Sequence, residues 1–102
     1  MNIQLQETTL KISGVKELGA ANSNAFREQV RAALPTTLHA IEIDLSETSF
    51  IDSCGLGALI SLYKTANSLN GGVSVRLLNP SRRVQQLFEL TRLHRIFEIV
   101  QR

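Results

Sequence analysis

The stretch Phe50-Ile51-Asp52-Ser53-Cys54-Gly55-Leu56-Gly57 packs an acid, a hydroxyl, a thiol and two glycines into its last six residues. It lies where the hydrophobic periodicity changes. Upstream, Ile41-Glu42-Ile43-Asp44-Leu45 alternates aliphatic and acidic residues with period two, the pattern of a strand with one buried face. Downstream, Leu59, Leu62, Tyr63, Ala66 and Leu69 recur at helical spacing, and Asn70-Gly71-Gly72 follows as a helix stop. The octapeptide therefore reads as a strand-to-helix passage, with Ser53 at or just before the start of a helix over 55–69.

Working outward gives the remaining elements. Ile3-Gln4-Leu5 and Thr8-Thr9-Leu10-Lys11-Ile12 alternate apolar and polar residues around Glu7 and read as two strands, paired as a hairpin. Residues 15–24 read as a loop that offers a helix cap at Asn22 or Ser23. Phe26, Val30, Ala33 and Leu34 form one face of the helix that follows, and Pro35 ends it, because the residue before proline is pushed out of helical geometry. Past the central helix, residues 73–78 read as a strand. Asn79 then caps a helix with Pro80 at its first position, and Val84, Leu87, Phe88 and Thr91 face inward. Residues 96–100 make the last strand.

The order β-β-α-β-α-β-α-β implies parallel neighbours joined by right-handed crossovers. Strands that alternate rather than run continuously apolar imply an α/β fold with a mixed sheet and helices mainly on one face. At 102 residues, without a linker or repeat, the expectation is one domain over residues 1–102.

Composition narrows the function classes. With 43% hydrophobic and 20% charged residues, the chain is an ordinary globular one. One cysteine, Cys54, excludes an internal disulfide and fits a reducing, cytoplasmic setting. The start of the chain lacks the basic residues and apolar run of a signal peptide, and no stretch reaches the roughly 18 apolar residues of a spanning helix. No membrane insertion is expected. Residues 76–102 hold six arginines against two glutamates, a basic segment on a chain of net charge +2. It carries no nucleic-acid motif, so the arginines are read as a solvated helix face and no nucleic-acid partner is expected.

The chemistry open to residues 50–57 is limited. Gly55-x-Gly57 begins a dinucleotide fingerprint, but Ile60 stands at the third glycine position and the glycines lie ten residues beyond Leu45. No Gly-Lys-Ser/Thr is present for a nucleotide-phosphate loop. Cys54 at a helix end could be an activated nucleophile with His39 or His94 as base, but nothing in the sequence ties either histidine to it, and a lone cysteine there is more often a packed small residue. Glu42, Asp44, Glu47 and Asp52 suggest no metal site, and their expected fate is solvent or, for Asp52, a helix cap. The expectation is a non-enzyme without cofactor or metal.

Three features go beyond a plain cap. Asp52 and Ser53 are one capping residue more than a helix needs. Gly55 and Gly57 clear side chains where another backbone or a large ligand could approach. Ile51 and Leu56 set apolar surface beside a polar tip. A hydroxyl at a helix N-terminus is also a place where a phosphate is electrostatically favoured.

Ile43-Asp44-Leu45-Ser46 followed by Ser49-Phe50-Ile51-Asp52-Ser53-x-Gly55-Leu56-Gly57 resembles the signature of STAS domains, and of the bacterial anti-sigma-factor antagonists (anti-anti-sigma factors) in particular. The resemblance continues through Asn70-Gly71-Gly72, Leu77-Leu78-Asn79-Pro80, Val84-x-x-Leu87-Phe88, Thr91-x-Leu93 and Ile96-Phe97. It implies a partner switch: the antagonist binds an anti-sigma factor that is also a serine kinase, phosphorylation releases it, and a serine phosphatase resets it. By position the phosphoacceptor is Ser53, and Asp52, Ser53, Cys54, Gly55, Leu56 and Gly57 are the partner-binding residues. The alternative within the family is a constitutive adaptor subunit, for instance of a lipid-transport complex, without phosphorylation. The chain departs from the family pattern in three places. Cys54 stands where serine or threonine is usual, and Gly14-Val15-Lys16-Glu17-Leu18 replaces a Gly-x-Leu-Asp loop, its acid either missing or replaced by Glu17. The sequence also stops after the last strand, where many relatives carry a closing helix.

Overall fold

The computed structural model describes residues 1–35, 37–68 and 72–102. Strands β1 (Asn2–Gln6) and β2 (Thr9–Ser13) form the expected antiparallel hairpin. β2 then pairs in parallel with β4 (Ala40–Asp44), β4 with β6 (Ser74–Leu78), and β6 with β7 (Glu98–Val100). The main sheet has the order β1-β2-β4-β6-β7. Helices α1 (Ser23–Ala33), α2 (Ser53–Asn67) and α3 (Arg82–Leu90) fill the connections between its parallel strands. This is the mixed α/β architecture that the alternating strands imply.

One core face explains the layering. Leu10, Ile12, Ile41, Ile43, Val75 and Leu77 project from one side of the sheet and are buried with Phe26 and Val30 of α1, Leu59 and Leu62 of α2, and Val84 and Phe88 of α3. The opposite face carries a cross-strand row, Gln4, Lys11, Glu42, Arg76 and Glu98, set by the pairing register. Glu42 does not go to solvent as the alternation suggested. It is buried, and its carboxylate pairs at 3.1 Å with both Arg76 and Arg102. Two of the six C-terminal arginines are therefore structural cations on the sheet, not part of a helix face. A central position between two strands excludes water from Glu42, and the flanking guanidiniums replace it.

Other boundaries moved for local reasons. Asn79 does not cap α3. It takes a left-handed conformation (φ 54°) and accepts from the Arg102 amide, while Ser81, two residues later, caps the helix by accepting from the Val84 amide. Thr91 is not on the inner face: it is exposed and bonds back to the Leu87 carbonyl at the end of α3. Residues 93–95 form a short 3₁₀ turn, so the last strand begins at Glu98, although Phe97 remains buried and meets Tyr63 edge-on at 5.5 Å. Pro35 does end α1, leaving Leu34 extended. Of the helix stop expected at Asn70-Gly71-Gly72, Asn70 and Gly71 lie outside the described residues, as does Leu69, while Gly72 has a positive φ of 100°.

The principal addition is a second, two-stranded sheet. β3 (Glu17–Leu18) pairs in parallel with β5 (Phe50–Ile51) inside what the sequence presents as loops. Two residues are too short for a period to show. The Ser49 amide donates to the Lys16 carbonyl at 3.0 Å, and the Thr48 hydroxyl donates to the Val15 carbonyl, so the ladder extends upstream by local bonds.

Candidate functional site

The site is the N-terminus of α2 where it leaves β5. Asp52 is the cap residue, in extended geometry, and its Oδ1 accepts from the Gly55 amide at 3.0 Å. Its Oδ2 accepts from the Ala20 amide, also at 3.0 Å. One carboxylate thus ties the helix start to the segment that follows β3. These amides, Gly55 first and Ala20 second, favour the charged form and hold the Asp52 carboxyl below the usual carboxylate range, against a smaller opposing effect of burial. Its backbone is fixed as well: the Asp52 amide donates to the Leu18 carbonyl, and its own carbonyl accepts from Leu56.

Because Asp52 does the capping, Ser53 does not have to. It is the first residue of α2, two residues earlier than the sequence suggested, and it is exposed, as is Cys54. Gly55 is buried for a steric reason: a Cβ there would lie 2.0 Å from the Leu18 carbonyl oxygen. The backbone that approaches is the chain's own. Gly57 is different, since a Cβ there would meet only the Arg27 guanidinium, at 3.5 Å.

The apolar neighbours differ from expectation. Ile51 is buried and Leu56 half-buried, so Ile51 offers no docking surface. The exposed apolar side chains beside the site are Phe50, 51% exposed, and Leu90, 83% exposed, on either rim of a groove between β5 and α3. His39 and His94 are exposed on other elements, and His94 Nδ1 lies 3.3 Å from the Phe88 carbonyl. Neither contributes to the site. Glu17 is exposed and precedes Leu18; the residue after Leu18 is Gly19, where a Cβ would fall 2.7 Å from Asp52 Oδ2. The missing side chain at Gly19 lets Asp52 reach the Ala20 amide. Sequence reasoning missed Gly19, Ala20 and Arg27, and only the run of small residues Gly19-Ala20-Ala21 hinted at a close approach.

The sequence model of the STAS domain family matches residues 1–102. The chain belongs to the STAS domain family. Among relatives of this STAS domain, a candidate anti-sigma factor antagonist of Thermotoga neapolitana is 32% identical over 85 residues, covering 82% of this chain and 74% of that one. The anti-sigma-B factor antagonist of Bacillus subtilis is 26% identical over 99 residues, 97% of this chain and 88% of that one. In three dimensions, the crystal structure of a candidate antagonist from Thermotoga maritima superposes with a TM-score of 0.85 at 25% identity, covering 97% of this chain and 84% of that one. The resemblance read from the octapeptide and its surroundings therefore holds, and the relatives named above are anti-sigma factor antagonists. No helix among the described residues is long and apolar enough to cross a membrane.

Proposed function

We propose that residues 1–102 form one domain that acts as a cytoplasmic anti-sigma-factor antagonist by binding, not catalysis. In this reading the N-terminus of α2 docks on an anti-sigma factor serine kinase, Ser53 accepts a phosphate that ends the complex, and a serine phosphatase restores it. The observation that carries the reading is the division of labour between neighbours. Asp52 is committed to two backbone amides, whereas Ser53 stands exposed at the first turn with no demand on it from the fold. A phosphate on Ser53 therefore breaks no capping bond, and the helix N-terminus favours its charge. Exposed Phe50 and Cys54 and half-buried Leu56 surround the serine with the moderately apolar surface that a protein partner can cover.

The same geometry supports a switch. A hydroxyl is tolerated inside an interface, but a phosphate brings added bulk and a charge of about −1.5 to −2 that a docked partner would have to desolvate. A loss of roughly 3 kcal/mol weakens binding more than a hundredfold. The test is retrieval of partners from native cells with wild-type, Ser53→Ala and Ser53→Asp baits, together with intact-mass analysis of the native protein. Expected are a phosphate mapped to Ser53 and a kinase-like partner held by the Ala bait but lost from the Asp bait. An unmodified protein that copurifies with membrane subunits through all three baits points instead to the constitutive adaptor and defeats the switch.

A further inference from the structure

We propose that Arg27 on α1 is an intramolecular receptor for the phosphate on Ser53, so that the modified domain holds its own phosphoserine in a defined position. The inference rests on the reading of Ser53 as phosphoacceptor and adds the residue that receives the new charge. Three observations converge on it. The Arg27 guanidinium lies over the Cα of Gly57, where an added Cβ would be 3.5 Å from Nη2. Gly57 is four residues after Ser53 on α2, which places the two positions on one helix face about 5–6 Å apart. The space that a Gly57 side chain would occupy lies over the preceding turn, the turn that Ser53 begins.

The electrostatics agree. Arg27 Nε is buried without a hydrogen-bond partner, and among the described residues no carboxylate pairs with its guanidinium. Arg31 stands one turn further along α1 and lines the same groove between α1 and α2, whose other lining residues are all uncharged. An unpaired guanidinium fork over the helix face that Gly57 shares with Ser53 suits a phosphate dianion, which it can bind with two charge-assisted hydrogen bonds. Asp52 does not compete for it, because both its oxygens are occupied by backbone amides. The consequence is a phosphorylated state with a fixed phosphate rather than a freely rotating one, in which the cation as well as the serine is withdrawn from the partner.

The test uses the full chain with phosphoserine installed at position 53 during synthesis, so it needs no kinase and does not depend on whether Ser53 is modified in the cell. The readout is the second ionisation of the phosphate, followed by ³¹P NMR against pH, in wild type and in Arg27→Met, Arg27→Lys and Arg31→Met. Arg27→Met keeps the aliphatic stem, and circular dichroism of the unphosphorylated variant verifies its fold. A neighbouring cation favours the dianion, so the wild-type ionisation lies below the ordinary value near pH 6, and Arg27→Met raises it by about half a unit or more. Arg27→Lys retains part of the shift, and Arg31→Met changes it less than Arg27→Met does. The helix N-terminus contributes equally to all four proteins, so the differences isolate the arginine. If Arg27→Met leaves the ionisation where wild type has it, or Arg31→Met moves it further, the assignment to Arg27 is overturned. Should Arg27→Met fail to fold, the comparison of wild type with Arg27→Lys decides, with identical titrations and identical ³¹P shifts counting against the proposal.

Discussion

Gly55→Ala tests the steric logic of the site most directly. The added Cβ would sit 2.0 Å from the Leu18 carbonyl oxygen and 2.7 Å from the Leu18 carbonyl carbon. Both are backbone atoms, so no rotamer change relieves the clash. β3 and α2 must separate by about 1 Å before even the shortest real contact is reached. That movement stretches the Asp52–Leu18 and Asp52–Ala20 hydrogen bonds, which span the same gap. Overpacking of this kind costs roughly 1–3 kcal/mol, and a weakened buried hydrogen bond adds about 1 kcal/mol. Against this, alanine is favoured over glycine in a helix by about 1 kcal/mol. The net expectation is a loss of about 2 kcal/mol, which for a domain of this size lowers Tm by about 8–16 °C. Gly57→Ala is the internal control. Its Cβ makes only an ordinary contact with the Arg27 guanidinium, so helix propensity dominates and stability rises by up to about 1 kcal/mol. Urea and thermal unfolding of both variants provide the measurement. If Gly55→Ala is as stable as Gly57→Ala, the close approach of β3 to α2 does not exist as described.

Three further outcomes are expected. Asp52→Asn lowers Tm at neutral pH, and the gap to wild type closes in acid. The folded-state carboxyl lies below its ordinary 3.8, so its contribution is complete above that value and disappears as pH falls through the folded value; a gap that widens rather than narrows as pH falls below 3.8 would contradict this origin. Glu42→Gln breaks a buried carboxylate with two arginine partners. Because Arg76 and Arg102 are 31% and 55% exposed, the expected cost is about 1–2 kcal/mol rather than that of a fully enclosed pair, read as a shift in urea midpoint. Phe88→Ala removes the largest fully buried side chain and is expected to cost about 3–5 kcal/mol, a large share of the roughly 5–15 kcal/mol that holds an ordinary domain folded, read by circular dichroism as a lowered urea midpoint and Tm.

Much of the molecule was legible before any coordinates. The alternating runs read at 3–5, 8–12, 41–45 and 73–78, each within a residue of the observed strand bounds, and the helical stripes of α1 and α2 are strong signals, because each element must present one apolar face to a common core. The Asp52 cap and the family of the octapeptide were legible too, since both rest on residues adjacent in sequence. Where the reading failed, the deciding partner was distant. Glu42 looked like a surface acid until β6 and the C-terminal residues brought Arg76 and Arg102 to it. Asn79 looked like a cap, but its side chain is claimed by the Arg102 amide.

The sequence by itself determined the order of the main elements, the side of the sheet that carries the core, and the placing of Ser53 at a helix start beside its acid. These follow from periodicity and local hydrogen bonding, which act over a few residues. Only the tertiary structure decided why Gly55 must be glycine, what Asp52 holds besides its own helix, and which side chain lies over Gly57. Each depends on β3 or α1 meeting α2 across more than 20 intervening residues, and such a meeting leaves no period in the chain.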